Sequence, residues 1–365
     1  MMRARERFAL GVLATLAVGG RLAAAQTFDR RQLDRIERAL QQEAQAVVEL
    51  ADASDDPDPT DFFLTWRNDF FKAQAGTFVP FVVTIDTKSR KPPRVFLYVR
   101  VARRVPGDVG QRRGRRGTDS GDSTPHPFEE IYPVDLAGDR GQPTRIARGF
   151  AIEPGEYDLT VVVRERERRE DRGRRRMAGV LRRELNVPDY STPELTTSTI
   201  VLADELTMLD QAPPPGELTE HPYVIGLRDI QPAVDAVFRR TEELIVIFLV
   251  YNPSVRADEH FDLEVEYHFF RKASQGAGVP ARPSGDRAAP AAQPGETYVN
   301  RTEPQRFNPQ VLGTRFDPSA GQPVMAGQGV PLAGFQEGEY RLTITVTDLV
   351  SGQSIERQVL FTVGS

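Results

Sequence analysis

Short stretches rich in Val, Ile, Phe, Tyr and Thr recur along most of the chain. Some of them alternate apolar and polar residues, which is typical of β-strands that bury one face and expose the other. The stretches favour strands by their composition, and Gly and Pro separate them. They occupy residues 78–86, 95–101, 156–164, 179–187, 199–202, 242–251, 261–270, 339–348 and 355–363. Helices do not alternate with these strands, which argues against an α/β fold and predicts an all-β chain.

One segment near the N-terminus has the helical period instead. Residues 29–51 begin with Asp29, a good N-cap, and Gln32 three positions later completes a capping box. Apolar residues then recur at spacings of three, four and seven, which makes one stripe on an amphipathic helix. These residues are Leu33, Ile36, Leu40, Val47 and Leu50. We expect the helix to pack on the first half of the β structure. The alternative is a self-associating coiled coil, although Glu43 interrupts its seam.

A ten-residue phrase occurs twice and relates the two halves of the chain. The first copy, PGEYDLTVVV, spans 154–163, and the second, EGEYRLTITV, spans 337–346. In each copy a glycine makes a turn and a tyrosine begins a strand, two residues before an inward-facing core position. That is the pattern of the tyrosine corner in immunoglobulin-like sandwiches. The turn residues are Gly155 and Tyr157 in the first copy and Gly338 and Tyr340 in the second.

The repeat predicts two tandem immunoglobulin-like antiparallel β-sandwiches, preceded by the one amphipathic helix. A single strand follows each copy, as expected for the last two strands of a seven-stranded sandwich. The stretch between the halves is rich in proline and is expected to be a stiff linker. The predicted ranges are 26–60 for the helix and an acidic linker, 61–210 for the first sandwich, 211–222 for the Pro-rich linker and 223–365 for the second sandwich.

The first 25 residues predict a secretory signal peptide. Basic residues come first, an uncharged run spans 8–20, and three alanines end at Ala25. The uncharged run is shorter than the roughly 20 residues that a membrane-spanning helix needs. We therefore expect export to the periplasm or the extracellular space, and no transmembrane segment after cleavage. A retained N-terminal anchor is the alternative.

Arginine is concentrated in two segments of the predicted first sandwich. The formal charge of the chain is −5, yet residues 100–116 hold seven arginines and one acid, and residues 164–183 hold ten arginines and four acids. Guanidinium groups bind phosphates and carboxylates bidentately, which predicts contact with an anionic component of the envelope. If the two loops shared one end of the sandwich, they would form one basic surface. The alternative is that they are solubilising insertions. The candidate anion-binding residues are Arg112, Arg113, Arg115, Arg116, Arg172, Arg174, Arg175 and Arg176.

The sequence offers little for catalysis or for metal binding. The chain has no cysteine, which excludes disulfides, thiol catalysis and cysteine-ligated zinc. Its four histidines, His126, His221, His260 and His268, have no metal-ligand spacing. No nucleophile elbow, phosphate-binding loop or dinucleotide fingerprint is present. We predict no cofactor, no metal site, no nucleic-acid partner and no enzymatic activity. Paired carboxylates for glycoside hydrolysis stay as an unfavoured alternative among Glu129, Glu130, Asp262, Glu264 and Glu266.

The chain resembles a family of uncharacterised exported bacterial proteins that have a signal peptide, a short helix and two immunoglobulin-like sandwich halves. It is also similar to the C-terminal sandwich segments of GWxTD-domain proteins, although the GWxTD motif itself is absent here. The resemblance implies the fold and export, and it implies no activity. The phrases that carry it lie at 66–71, 78–81, 187–190, 248–253 and 330–333.

Together these features predict a non-catalytic exported binding or scaffold protein of the cell envelope. Its contact surface would be the Arg-rich loops of the first sandwich, and its partner an unidentified protein or an anionic envelope component. The alternative is a structural or assembly protein that docks a partner through the N-terminal helix or through its sheet edges. A carbohydrate-active enzyme is the least favoured alternative.

The signal peptide predicts a defined N-terminus for the mature protein. When the full chain is expressed in a bacterium with an export pathway, we expect cleavage after Ala25 and a mature protein that begins at Gln26. Intact-mass measurement of the envelope fraction checks the cleavage. Recovery of the uncleaved chain in membranes would instead indicate an anchor.

Overall fold

A computed structural model describes residues 30–53, 58–87, 94–104, 126–136, 142–166, 174–258, 260–272, 290–313 and 316–364, with side chains from residue 41 onward. The predicted signal peptide, Asp29, Arg112, Arg113, Arg115, Arg116 and Arg172 lie outside this part of the chain. The chain divides into two compact units. Unit 1 comprises the described parts of Met1–Thr65, Val83–Arg145 and Gly155–Asn186, and unit 2 comprises those of Trp66–Val82, Ile146–Pro154 and Val187–Ser365.

Strands make up most of the described chain, with one long helix, which confirms the all-β prediction. The helices are α1 (Arg30–Asp52) and the single turn α2 (Pro309–Leu312). The strands are β1 (Phe63–Asn68), β2 (Phe71–Lys72), β3 (Thr77–Asp86), β4 (Arg94–Arg103), β5 (Phe128–Asp135), β6 (Thr144–Ile152), β7 (Gly155–Glu165), β8 (Ala178–Val187), β9 (Thr196–Thr197), β10 (Val201–Met208), β11 (Val224–Ile225), β12 (Arg228–Pro232), β13 (Val237–Arg239), β14 (Glu243–Tyr251), β15 (Leu263–Lys272), β16 (Glu296–Arg301), β17 (Gln305–Phe307), β18 (Val324–Pro331), β19 (Gly338–Asp348) and β20 (Ser354–Gly364).

The described strands form four sheets. Sheet A has the order β5-β4-β7-β8, and sheet B has β1-β3-β2 with β6 on β3. Sheet C has β11-β12-β10-β14-β18 with β9 on β14, and sheet D has β13-β20-β19-β15-β16 with β17 on β15. Sheets C and D enclose a common core, in which Phe248 and Val246 of sheet C join Tyr267 and Leu342 of sheet D. Unit 2 therefore contains a sandwich of two sheets. The count of two tandem immunoglobulin-like sandwiches stays a prediction.

The predicted linker 211–222 connects two strands of the same sheet. Strand β10, expected to close the first half, pairs with β14 through Val201 and Ile247. It also pairs with β12 through Met208 and Arg228. The Pro-rich stretch therefore connects β10 with β11, and both strands belong to sheet C. Proline and glycine mark a break in regular structure equally in a domain linker and in a long loop, so composition alone does not distinguish them.

The two copies of the repeated phrase adopt the same turn. Gly155 has φ 148° and Gly338 has φ 146°, a conformation that side-chain-bearing residues avoid. Tyr157 lies opposite Arg103 in sheet A, and Tyr340 lies opposite Arg271 in sheet D. The Tyr340 hydroxyl donates to the carbonyl oxygen of Gln336 at 2.6 Å, four residues upstream, which is the contact of a tyrosine corner.

The inward alternation predicted after each tyrosine is confirmed. The three residues on each copy that were expected to face the core are at most 1% exposed. They are Leu159, Val161 and Val163 in β7 and Leu342, Ile344 and Val346 in β19. Since successive strand residues point to opposite faces, this burial fixes which face of each sheet is inside.

Helix α1 packs against sheet A, as predicted for the first half of the chain. Val47 and Ala51, 0% and 5% exposed, form one apolar cluster with Phe96, Tyr98 and Val162. Phe96 and Tyr98 alternate along β4 with fully buried Leu97 and Val99, so the helix covers the opposite face of the strand. The described part of the apolar stripe therefore packs against sheet A of the same chain.

Two arginines of sheet A hold the C-terminus of α1. Arg182 donates to the carbonyl oxygens of Leu50 at 3.3 Å, Ala51 at 3.0 Å and Ala53 at 2.9 Å. It also forms an ion pair with Asp58 at 3.2 Å. Nearby, Arg100 binds the Asp52 carboxylate at 2.5 Å. A cation at the carboxyl end of a helix satisfies its last carbonyls and opposes the negative end of its dipole.

The repeated turn predicts a large effect of a small substitution. We expect Gly338→Ala to lower the free energy of unfolding by about 1–3 kcal/mol, because an L-residue is strained at this positive φ. The new methyl group would also lie 3.1 Å from Nε of Arg271. Gly334→Ala is the control, since no atom lies within 4 Å of its added carbon. Denaturant unfolding measures both, and equal stability of the two variants would contradict the interpretation.

The docking of α1 predicts a role for Arg182. We expect Arg182→Ala to lower the free energy of unfolding by about 1–2 kcal/mol, since several charge-assisted hydrogen bonds are lost from a partly exposed side chain. Hydrogen exchange of the α1 amides should accelerate with it. The matched control is Arg94→Ala, which breaks an ion pair with Asp135 whose side chains are 66% and 60% exposed. That variant should cost less than about 0.5 kcal/mol. Equal costs would show that the helix does not depend on Arg182.

Candidate functional site

The arginines of the β7–β8 hairpin that the structure describes are paired with acids of the same chain. Arg174 donates to the Glu165 carboxylate at 3.1 Å, and Arg175 donates to Asp61 at 2.6 Å. Hydrogen bonds from the Ala178 amide and from Arg175 hold the pKa of Asp61 below its usual range. Arg176 is half-buried. Two of the arginines predicted to bind anions are therefore already paired with carboxylates of this chain.

The two Arg-rich loops leave sheet A at opposite ends. The first loop follows Arg103, which lies opposite Tyr157. The hairpin follows Glu165, which lies opposite Val95 at the other end of the same strand pair. Eight residues of β4 separate these ends by about 26 Å at 3.3 Å per residue. The single basic surface considered from the sequence therefore does not form at the bases of these loops, because β4 and β7 are antiparallel and their C-terminal ends lie at opposite ends of the sheet.

The carboxylates considered for glycoside hydrolysis have partners or positions that belong to the fold. Glu129 accepts a hydrogen bond from the Tyr98 hydroxyl, and Glu130 accepts one from Tyr132. Asp262 forms an ion pair with Arg306, which lowers its pKa. Glu264 and Glu266 are half-buried positions on one face of β15. All five therefore have a hydrogen-bonding, ion-pairing or strand role in the fold.

The histidines are likewise dispersed. His268 is 2% exposed and packs beside the Tyr298 ring, and burial lowers its pKa. His126, His221 and His260 lie in three different connecting segments. Among the described residues no group of three His, Asp or Glu side chains is arranged to hold a metal ion.

A cleft in unit 2 contains a cation that sequence reasoning missed. It has a volume of about 390 Å³, and we call it the Arg357 cleft. Hydroxyl side chains from 196–199 line one side, and Arg357 and Val359 of β20 line another. Pro188, Tyr190 and Ile200 add apolar surface. Arg357 stands in the inward-facing alternation of β20, where apolar residues are expected, and it is half-buried.

The Arg357 guanidinium makes hydrogen bonds but no ion pair with any described residue. Its Nε donates to Thr197 Oγ1 at 3.0 Å, and Nη2 donates to Thr196 Oγ1 at 3.3 Å. Nη1 donates to the Glu356 carbonyl oxygen at 3.0 Å. Since a guanidinium has five N–H donors, two remain. Both threonine hydroxyls act as acceptors here, which leaves their own hydrogens to donate.

Tyr190 lines the cleft and packs on a second tyrosine. Burial raises the pKa of Tyr190 to about 12, while the nearby Arg357 charge opposes this increase. The Tyr190 hydroxyl donates to the Phe70 carbonyl oxygen at 3.3 Å, and the Tyr190 and Tyr251 rings pack 5.4 Å apart. The cleft therefore combines the positive charge of Arg357 with the Asp189 carboxylate, several hydrogen-bond donors and the Tyr190 ring.

Comparisons with known proteins add little to this geometry. No protein-family profile and no curated protein matches the chain. Among solved structures, red sea bream transglutaminase is similar at 11% identity over 84% of this chain, with a TM-score of 0.21. The match covers 32% of the transglutaminase chain, so this chain spans about a third of that protein. A likeness of this degree supports no statement about fold or activity. No described helix is long and apolar enough to cross a membrane.

Proposed function

We propose that this protein is a non-catalytic exported binding protein of the cell envelope and that it holds an anionic ligand in the Arg357 cleft. The observation that carries the proposal is the half-buried Arg357 guanidinium, which has donors to spare and no ion-paired carboxylate in the described chain. A partly buried cation without a counter-ion is costly, and an anionic ligand would offset that cost.

The chemistry of the cleft favours a monoanionic carboxylate. One guanidinium matches one negative charge, and its two free N–H groups suit the two oxygens of a carboxylate. The hydrogens of Thr196 and Thr197 supply further donors. Pro188, Ile200 and Val359 offer apolar walls to the rest of the ligand. A volume of about 390 Å³ lies within the range of small-molecule sites.

Binding is favoured over catalysis by the groups that line the cleft. Its described lining contains no histidine, lysine or cysteine. The Ser198 hydroxyl accepts from the Leu249 amide and donates to the Thr199 carbonyl oxygen, so it is engaged by the backbone. A nucleophile needs a neighbouring base within hydrogen-bond reach, and no described hydrogen bond joins Ser198 to Asp189, the carboxylate of the lining.

The surfaces predicted from the sequence are weaker candidates. Arg174 and Arg175 are paired with Glu165 and Asp61, and an anionic partner would have to displace those acids. The assembly alternative, in which the helix docks a partner, loses support because Val47 and Ala51 already pack within unit 1. Export and an envelope location are proposals that rest on the N-terminal sequence.

Carboxylate titration tests the proposal. We expect N-acetyl-L-leucine to shift the NMR amide signals of residues 196–200 and 357–359 saturably, with a dissociation constant of about millimolar order. Arg357→Gln should weaken binding about tenfold or more, since the charge-assisted hydrogen bonds are lost. Arg228→Gln removes the same charge from an exposed strand position and should bind as the wild type does.

Two results would contradict the proposal. One is the absence of saturable shifts at these residues in the wild type. The other is unchanged binding by Arg357→Gln while its unfolding free energy matches that of the Arg228→Gln control. Because both variants replace arginine with glutamine, a difference between them reports the position of the charge rather than its number.

A further inference from the structure

The Arg357 cleft contains a second charge of opposite sign. Asp189 lines the same cleft and is exposed to solvent. Its Oδ1 accepts a hydrogen bond from the Ser191 amide at 2.8 Å, which fixes the side chain in a local turn. Hydrogen bonds from Ser191 lower its pKa, so the carboxylate is ionised at neutral pH. A carboxylate has about four acceptor sites, so this exposed group keeps capacity for a further donor beyond Ser191.

The two charges do not neutralise each other. Asp189 and Arg357 form no ion pair with each other, and neither has an ion pair with any other described residue. Other charged side chains of unit 2 do form ion pairs with each other. Arg341 pairs with Glu296 at 2.5 Å, and Lys272 pairs with Glu339 at 2.7 Å. The cleft therefore contains a guanidinium and a carboxylate that form no ion pair with each other.

We infer that the ligand of the Arg357 cleft is a zwitterion, with a carboxylate at Arg357 and an ammonium group at Asp189. This inference rests on the proposed function and specifies its ligand. Free α-amino acids and short peptides share this chemistry. A ligand that carries both charges is favoured over a simple carboxylate because it satisfies both groups of the cleft.

The apolar walls indicate what accompanies the charges. Ile200 is 8% exposed, and Pro188 and Val359 are half-buried beside it. An aliphatic side chain between the two charged ends of the ligand would cover this surface and gain from its burial. The ligand is thus expected to be an amino acid or short peptide with an aliphatic side chain.

A peptide has one further feature to bind. Strand β20 pairs with β19 over Ser354–Val363, but its other edge pairs with β13 only at Thr362, Val363 and Gly364. The edge beside Arg357 and Val359 therefore has no strand partner among the described residues. Backbone groups of an extended peptide bind edges of this kind. A dipeptide would reach more of this edge than a single amino acid.

Four probes separate the possibilities: L-leucine, N-acetyl-L-leucine, L-leucinamide and L-leucyl-L-leucine, each titrated against the full chain by NMR. We expect the wild type to bind L-leucine about threefold to fivefold more tightly than N-acetyl-L-leucine, the gain of one partly exposed ion pair. L-Leucinamide, which lacks the carboxylate, should bind more weakly than both. Tighter binding of the dipeptide would identify a peptide as the source of the zwitterion, and equal or weaker binding would identify a free amino acid.

Substitution of Asp189 gives the decisive comparison. Asp189→Asn keeps a carbonyl oxygen for the Ser191 amide, so the local turn is retained while the charge is lost. We expect it to bind L-leucine and N-acetyl-L-leucine equally. The control Asp210→Asn, at an exposed position, should keep the wild-type preference.

The outcomes distinguish this inference from the proposed function. If the wild type binds L-leucine and N-acetyl-L-leucine equally, and Arg357→Gln weakens both, the cleft holds a carboxylate and the zwitterion inference is wrong. If Asp189→Asn keeps the preference for L-leucine, the ammonium lies elsewhere and the inference is also wrong. If no carboxylate probe binds, both proposals fail, and Arg357 is instead an inward-pointing charge that protects an open sheet edge from aggregation.

Discussion

The strand register set at the two Gly-Tyr turns is the constraint on which the rest of the described structure depends. Tyr157 lies opposite Arg103, and Tyr340 lies opposite Arg271, so each turn aligns a strand with its partner at the same relative position. A slip of one residue would move every core side chain of that strand to the other face. The positive φ of the glycine and the 2.6 Å hydrogen bond from Tyr340 to Gln336 oppose such a slip.

Sheets A and D share the Gly-Tyr turn, but the residues on their outer faces differ. The outer face of sheet A includes Phe96 and Val162, and α1 covers it. The outer face of sheet D includes Glu264, Glu266 and Thr345, which are half-buried and polar and need no covering helix. Where sheet D does turn an aromatic ring outward, the Arg341 guanidinium lies over Phe270 at 4.3 Å and is itself held by Glu296. Two sheets with the same Gly-Tyr turn thus have different outer surfaces.

Arginine has several physical roles in this protein, and its density along the chain does not distinguish them. Arg182 caps a helix, Arg341 covers a ring, and Arg174 and Arg175 pair with nearby acids. Arg357 lies in a segment with few other arginines, and it is the one for which we propose a ligand. What makes it different is that it is half-buried, has no ion-paired counter-charge in the described chain and lines a cleft, which is a property of its surroundings. The desolvation of an unpaired cation, rather than the number of arginines, is what makes a site receptive to anions.

The sequence by itself determined the features that depend on neighbours in the chain. Runs of β-forming residues between Gly and Pro located the strands, the capping box and apolar stripe located α1, and the repeated phrase located both turns and their inward-facing residues. The role of Arg182, the separation of the Arg-rich loops and the place of 211–222 within sheet C required the tertiary structure. Each depends on strand order, which brings together residues far apart in the chain, such as Ala53 with Arg182 or Thr197 with Arg357. Local propensity carries no information about such pairs, because the free energy that selects them comes from burial and hydrogen bonding between strands.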